Sequence, residues 1–209
     1  CFVDAPTELK YYHFMEYDWY GVPLIISRTG WSSELGYEIF LRDGSAGNRL
    51  WEHIMDIGTP MGLKPGHTSG IRRIEAGMLS YHADMNLANN PFELNLDRLV
   101  SLDMEADFVG KDALKGIRQK LVGLEIEGEP FVGVNDFFWP LMKDGIQVGT
   151  VTSAVYSPRL KKNIALGMLK IEHADLETEL TVDKLGETRG GVVVPIPFHD
   201  PKKELAAKS

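Results

Sequence analysis

From Leu121 onward, short strand-like runs alternate with turn signals at close spacing, and this pattern leaves few folds open. The runs are Leu121 to Ile126, Trp139 to Met142, Gln147 to Tyr156, Ile164 to Ile171, Glu179 to Val182 and Gly190 to Val194. Asp144-Gly145 separates two of them and is the strongest hairpin signal in the chain, since a two-residue hairpin loop needs residues that tolerate positive φ. Many short strands with regular turns predict a small antiparallel β-barrel or sandwich. The change in composition places a domain boundary so that residues 118–209 form this β-rich domain and residues 1–117 precede it.

The first part of the chain mixes elements, which makes the whole an α+β protein. Residues 9–20 and 22–29 read as two strands around Tyr20-Gly21, with Val22, Leu24 and Ile26 alternating with their neighbours. A third strand spans 36–42, and Asp43-Gly44 closes it with turn chemistry. Ser45 resembles an N-cap for a helix near 46–57, with Leu50, Trp51, Ile54 and Met55 on its apolar face. Glycines and prolines from Gly58 to Gly66 end that helix. A second helix is expected over 67–79, with Ile71, Ile74 and Met78 inward, and a short third one from Lys111. Residues 82–96 read as irregular.

One segment carries the candidate chemistry: Ser27-Arg28-Thr29-Gly30-Trp31-Ser32-Ser33-Glu34-Leu35-Gly36-Tyr37-Glu38-Ile39-Phe40. It joins two strands through a glycine-bearing loop and sets a carboxylate, Glu38, in the second. Period-two alternation sends Tyr37, Ile39 and Leu41 to one face, the natural core set, and Glu38 and Phe40 to the other. A carboxylate beside aromatic side chains, here Phe40 and the loop residue Trp31, suits a flat heterocycle that donates hydrogen bonds. The same spacing also fits a solvent-facing glutamate on an ordinary hairpin strand.

Composition narrows the alternatives. At 209 residues, 44% hydrophobic and 25% charged, the chain has the make-up of an ordinary globular protein with a real core. A net charge of −8 argues against a nucleic-acid partner; Lys161-Lys162 and Lys202-Lys203 are too short to overturn that. No apolar run is long enough to span a bilayer, and the N-terminus lacks the layout of a secretory signal. The lone Cys1 fits a reducing compartment, so the expected location is cytoplasmic. The histidines at 13, 53, 67, 82, 173 and 199 never pair at i, i+4, so no zinc site is expected. The starting residues of a hydrolase elbow or a phosphate-binding P-loop are missing, and the acidic cluster Asp97, Asp103, Glu105, Asp107 lacks the pattern of a calcium loop.

The segment at 27–40 resembles the R-T-G-(aromatic)-x-x-x-x-G-(aromatic)-E signature of the folate-dependent aminomethyltransferase family, which includes the glycine cleavage T-protein. Five further stretches resemble that family in order. Arg73-Ile74-Glu75-Ala76-Gly77-Met78-Leu79-Ser80-Tyr81 looks like its R-x-E-x-G/A-x-x-x-Y helix, and Asn90-Pro91-Phe92-Glu93 like its T/N-P-x-E turn. Phe108-Val109-Gly110-Lys111-Asp112-Ala113-Leu114 is close to its F-x-G-K-x-x-L helix start. The runs 149–158 and 163–168 look like its C-terminal barrel motifs. The resemblance implies the remainder of an α/β folate-binding body followed by a small antiparallel β-barrel. It implies tetrahydrofolate as cofactor and a small-molecule one-carbon donor. Glu38 would hold the pterin N–H edge, with Trp31 and Phe40 packed on the ring system. Arg73 would meet a folate carboxylate or form a structural ion pair, since guanidinium suits carboxylates geometrically. Catalysis in the resembled mechanism rests on positioning two ligands so that folate N5 attacks an activated carbon.

The chain opens Cys-Phe-Val-Asp-Ala-Pro without an initiator Met, and members of the resembled family are considerably longer. It is therefore expected to be the C-terminal portion of a longer protein. The missing N-terminal portion is expected to hold the catalytic aspartate, and no catalytic residue is assigned here. The glycine-cleavage branch carries Gly-x-x-Ala-Arg-Asp where this chain has Thr68, Ser69 and Gly70, so its arginine becomes Ser69. Arg-Thr-Gly-Trp-Ser and Asn-Asn-Pro-Phe-Glu look more like the branch containing the dimethylsulfoniopropionate demethylase. Two rivals stay open. One is a folate-binding protein without transferase chemistry, although its Lys-Gly-Cys-Tyr-x-Gly-Gln-Glu motif has no cysteine counterpart near Lys111. The other is the folate domain of a larger oxidoreductase acting on N-methyl amino acids.

Overall fold

Alternation and turn chemistry shape a first sheet of three strands, each shorter than the expected 9–20, 22–29 and 36–42. The computed structural model describes residues 8–114 and 116–207; Cys1 lies outside them. They fall into two units, residues 8–69 with 202–207 and residues 70–201. In the first unit, β1 (Phe14–Trp19), β2 (Val22–Ser27) and β3 (Glu38–Leu41) form an antiparallel sheet in that order. Tyr20 and Gly21, at φ 51° and 79°, turn the first hairpin, and the Gly21 N–H donates to Asp18 Oδ1 at 2.9 Å. Trp19, Val22 and Leu24 pack with Ala46 and Leu50, and Ile39, Leu41 and Ile54 complete this core. Helix α1 (Gly47–Gly58) thus covers one sheet face through Leu50 and Ile54, while Trp51 faces away and is exposed.

The cap of this helical segment differs from expectation. Asp43, not Ser45, accepts the free N–H: a 3₁₀ turn at Gly44–Ala46 precedes α1, and Asp43 Oδ1 accepts from the Ser45 N–H at 3.0 Å and the Ser45 hydroxyl at 2.7 Å. The Ser45 hydroxyl, and after it the Ser45 N–H, hold the Asp43 carboxyl below the ordinary carboxylate value. Such a group contributes stability above its unfolded pKa and loses it as pH falls through the folded one. Asp43→Asn is therefore expected to flatten the fall in stability below about pH 4. Urea melts across that range check this, and an unchanged pH profile would remove Asp43 from the account.

In the second unit, the helix expected over 67–79 is shorter, α2 (Gly70–Glu75). Gly77, at φ 63°, stops it: the Gly77 N–H bonds Ile74 O at 2.9 Å and the Met78 N–H bonds Arg73 O at 2.8 Å, a Schellman closure. The helix expected from Lys111 is only a 3₁₀ turn at Asp112–Leu114. The six expected strands all form. They are β4 (Gln119–Ile126), β5 (Trp139–Lys143), β6 (Ile146–Ser157), β7 (Lys162–Lys170), β8 (Glu179–Lys184) and β9 (Glu187–Val194). They close an antiparallel barrel in the order β4-β7-β6-β5-β8-β9, with β9 pairing back to β4, so no sheet edge is left open.

Asp144 and Gly145, at φ 50° and 78°, make the predicted hairpin between β5 and β6. Leu124, Leu141, Val151, Leu169 and Val182 fill the barrel, all with essentially no exposure. A second cluster, with Ile74 of α2 among Leu121, Val155, Ile164 and Leu166, seats the helix on the barrel wall. Among the described residues no helix is long and apolar enough to cross a membrane.

Candidate functional site

The sheet of the first unit buries one face under α1 and leaves the other open, and the strand registers order what that open face carries. Phe14, Ser27 and Glu38 form one row across the three strands. Glu16, Ile25 and Phe40 form the next. Glu38 is exposed, and Phe40 is 53% exposed, while Ile39 and Leu41 between them pack into the core. The alternation in β3 is as the sequence predicts. Tyr37 departs from it: the residue precedes the strand, is largely exposed, and its ring centroid lies 5.2 Å from the Arg28 guanidinium.

Arg28 organises the loop that leads to Glu38. It is 2% exposed, and its Nη1 donates to the Gly36 carbonyl at 3.3 Å. One side chain at the start of the loop thus binds the backbone at its end and stacks on the next ring. A guanidinium is rarely buried so fully without several partners, and this one has them. Trp31, carried on the same loop, is 40% exposed. The Thr29 hydroxyl donates to Glu38 Oε2, and Ser27 Oγ lies 2.9 Å from Thr29 Oγ1. Ser27 and Glu38 are direct cross-strand partners, so the end of β2 and the start of β3 meet through side chains as well as backbone.

Arg73 stands in the second unit, on α2. It is 6% exposed; Nη1 bonds Asp84 Oδ2 at 2.8 Å and the Met78 carbonyl at 3.2 Å, and Nη2 donates to Ser153 Oγ at 2.8 Å. Asp84 also accepts from the Thr152 hydroxyl at 2.6 Å, the Ser153 hydroxyl at 2.7 Å and the Ser80 N–H at 2.9 Å. A register shift in β6 between Val151 and Ser153 is what turns two successive hydroxyls to one carboxylate. Glu75 makes a parallel anchor, accepting from Ser157 Oγ. The structure therefore brings Glu38 and Phe40 onto one face beside the loop of Trp31, and sets Arg73 in an ion-pair network with Asp84.

The open face offers a carboxylate and the exposed rings of Phe14 and Phe40, with Trp31 on the adjoining loop, an arrangement able to bind a planar N–H donor. Two family models match the chain along most of its length. The GCVT N-terminal domain matches residues 3–104, and the glycine cleavage T-protein C-terminal barrel domain matches residues 119–200. The chain belongs to the glycine cleavage T-protein family.

Relatives within this family differ in their chemistry. The dimethylsulfoniopropionate demethylase DmdA of Ruegeria pomeroyi is 33% identical over 177 residues, covering 82% of this chain and 48% of the demethylase. An aminomethyltransferase of Synechococcus sp. (strain RCC307) is 37% identical over 185 residues, covering 86% of this chain and 50% of its own length. The crystal structure of the glycine cleavage system aminomethyltransferase T from Bartonella henselae superposes with a TM-score of 0.74 at 21% identity, over 93% of this chain and 54% of that one, and shows the shared fold. The chain spans about half the length of the relatives it matches.

Sequence reading singled out Glu38, Trp31, Phe40 and Arg73, but missed what holds them. Arg28 and Thr29 stand inside the quoted signature, yet their spacing gives no sign that they bind Gly36 and Glu38 across the loop. Asp84 is 11 residues from Arg73 and 69 from Ser153 in sequence, and only the folded barrel brings them together.

Proposed function

We propose that this chain is the C-terminal part of a tetrahydrofolate-dependent one-carbon transferase. Residues 1–117 complete the folate-binding body and residues 118–209 supply the barrel. Membership of the T-protein family supports tetrahydrofolate as the acceptor. The observation that carries the site is the exposed carboxylate of Glu38 sharing a sheet face with Phe40, at the end of the loop that bears Trp31. In this reading Glu38 accepts two N–H groups from the pterin edge, a charge-assisted pair, while Trp31 and Phe40 cover the ring faces. Arg73, with its guanidinium committed to Asp84 and Ser153, serves by fixing α2 on the barrel. The donor is a small molecule that carries a methyl or aminomethyl group, and the residues that activate it lie in the missing N-terminal portion. That the chain spans about half of its relatives supports this division.

Calorimetric titration of tetrahydrofolate into the longer parent protein tests the reading, with the 209-residue chain run alongside. Binding by the parent supports it and directs a donor screen toward sulfonium and N-methyl compounds. Absence of binding overturns it. Glu38→Ala is expected to weaken tetrahydrofolate binding by at least about tenfold, because a charge-assisted pair is lost. The fold should be unchanged, since the side chain lies outside the core. Equal affinity of the variant would take Glu38 out of the site.

A further inference from the structure

We infer that Thr29, supported by Ser27, is a positioning residue that fixes the glutamate carboxylate for its ligand; this rests on the folate reading of the Glu38 face. The Thr29 hydroxyl has one proton, and it is directed to Glu38 Oε2. Thr29 Oγ1 can then only accept from Ser27 Oγ, 2.9 Å away, so the pair runs one way: Ser27 to Thr29 to Glu38. Hydroxyls chained in this sense polarise one another and strengthen the last bond. Among the described residues Glu38 Oε1 accepts no hydrogen bond, which leaves it for a ligand.

The placement of the three residues makes the chain a property of the sheet. Ser27 ends β2 opposite Glu38, and Thr29, two residues on, is the first hydroxyl that the loop brings back over that pair. An exposed glutamate otherwise samples many rotamers and loses them on binding. A side chain already held by Thr29 has less to lose, which is preorganisation in its ordinary sense. The arrangement also selects the ligand. A carboxylate only accepts, so the face favours an edge of N–H donors and rejects an edge of carbonyl acceptors, which would be left unpaired against it.

The test uses the parent protein with tetrahydrofolate as the probe. Thr29→Val keeps the shape and removes the hydroxyl; it is expected to weaken binding by about tenfold. Thr29→Ser restores the donor and is expected to bind within about twofold of the unaltered protein. Ser27→Ala is expected to cost about threefold alone and nothing further in the Thr29→Val background, because Ser27 acts only through Thr29. A merely structural role would not give this rescue and this lost additivity. If Thr29→Val binds as well as the unaltered protein while Glu38→Ala does not bind, the positioning role is wrong and the folate reading survives. The same holds if the Ser27 and Thr29 effects simply add. If the unaltered parent does not bind tetrahydrofolate, both fall together.

Discussion

Asp84→Ala is expected to destabilise the barrel unit by about 3–5 kcal/mol, more than any other single change considered, because it removes one side of a buried ion pair. Asp84 receives Arg73, two hydroxyls of β6 and the Ser80 N–H, and both members of the ion pair are nearly free of solvent contact. Removing the carboxylate takes away the acceptor that Arg73 Nη1 shares with two β6 hydroxyls; the Met78 carbonyl and Ser153 Oγ stay among the contacts of the guanidinium. Replacing both partners together, Arg73→Met with Asp84→Leu, removes both charges and is expected to recover a large part of the loss. Denaturant midpoints of Arg73→Met, Asp84→Leu and the double variant measure the coupling. A loss below about 1 kcal/mol for Asp84→Ala would show that water reaches the pair and carries the charge.

This network shows where sequence reasoning stops. The barrel strands are legible because each is a local pattern: β4 to β9 alternate or run apolar, and Asp144-Gly145 marks a turn by its own backbone preference. Closure of those strands, and the bulge that turns Thr152 and Ser153 toward Asp84, depend on pairings between segments far apart in the chain. Helix α2 illustrates the opposite error. Its apolar spacing continues through Met78, but Gly77 takes positive φ and the backbone closes on itself, so local periodicity overruns the true end. Trp51 fails for a similar reason: it sits beside Leu50 on the sequence stripe, yet α1 packs on the sheet through Leu50 and Ile54, with Arg49 and His53 against the Trp19 ring. At the candidate site, Glu38 and Phe40 are legible because a strand has period two. Their supports at Arg28 and Thr29 act across a loop whose course no period describes.

Arg28→Met is the variant that joins fold to site most directly. Methionine matches much of the stem but supplies no donor, so the half-buried Gly36 carbonyl contact and the stack on Tyr37 are both lost. Loss of a buried hydrogen-bonded charged group costs about 3 kcal/mol at most, and the hydrophobic stem offsets part of it. The larger consequence is expected in the loop. With its two ends no longer tied, residues 29–37 gain freedom, and Thr29 loses its fixed relation to Glu38. Amide hydrogen exchange across 29–37 should rise while α1 and the barrel strands stay protected. Tetrahydrofolate binding by the parent protein should weaken by more than Thr29→Val alone, since one change removes both the clamp and the alignment of the glutamate. Arg28→Lys keeps the charge but not the planar fork, and is expected to recover stability better than affinity. A loop that stays protected in Arg28→Met would show that its course is set by its own turns, and the clamp would then have no part in the site.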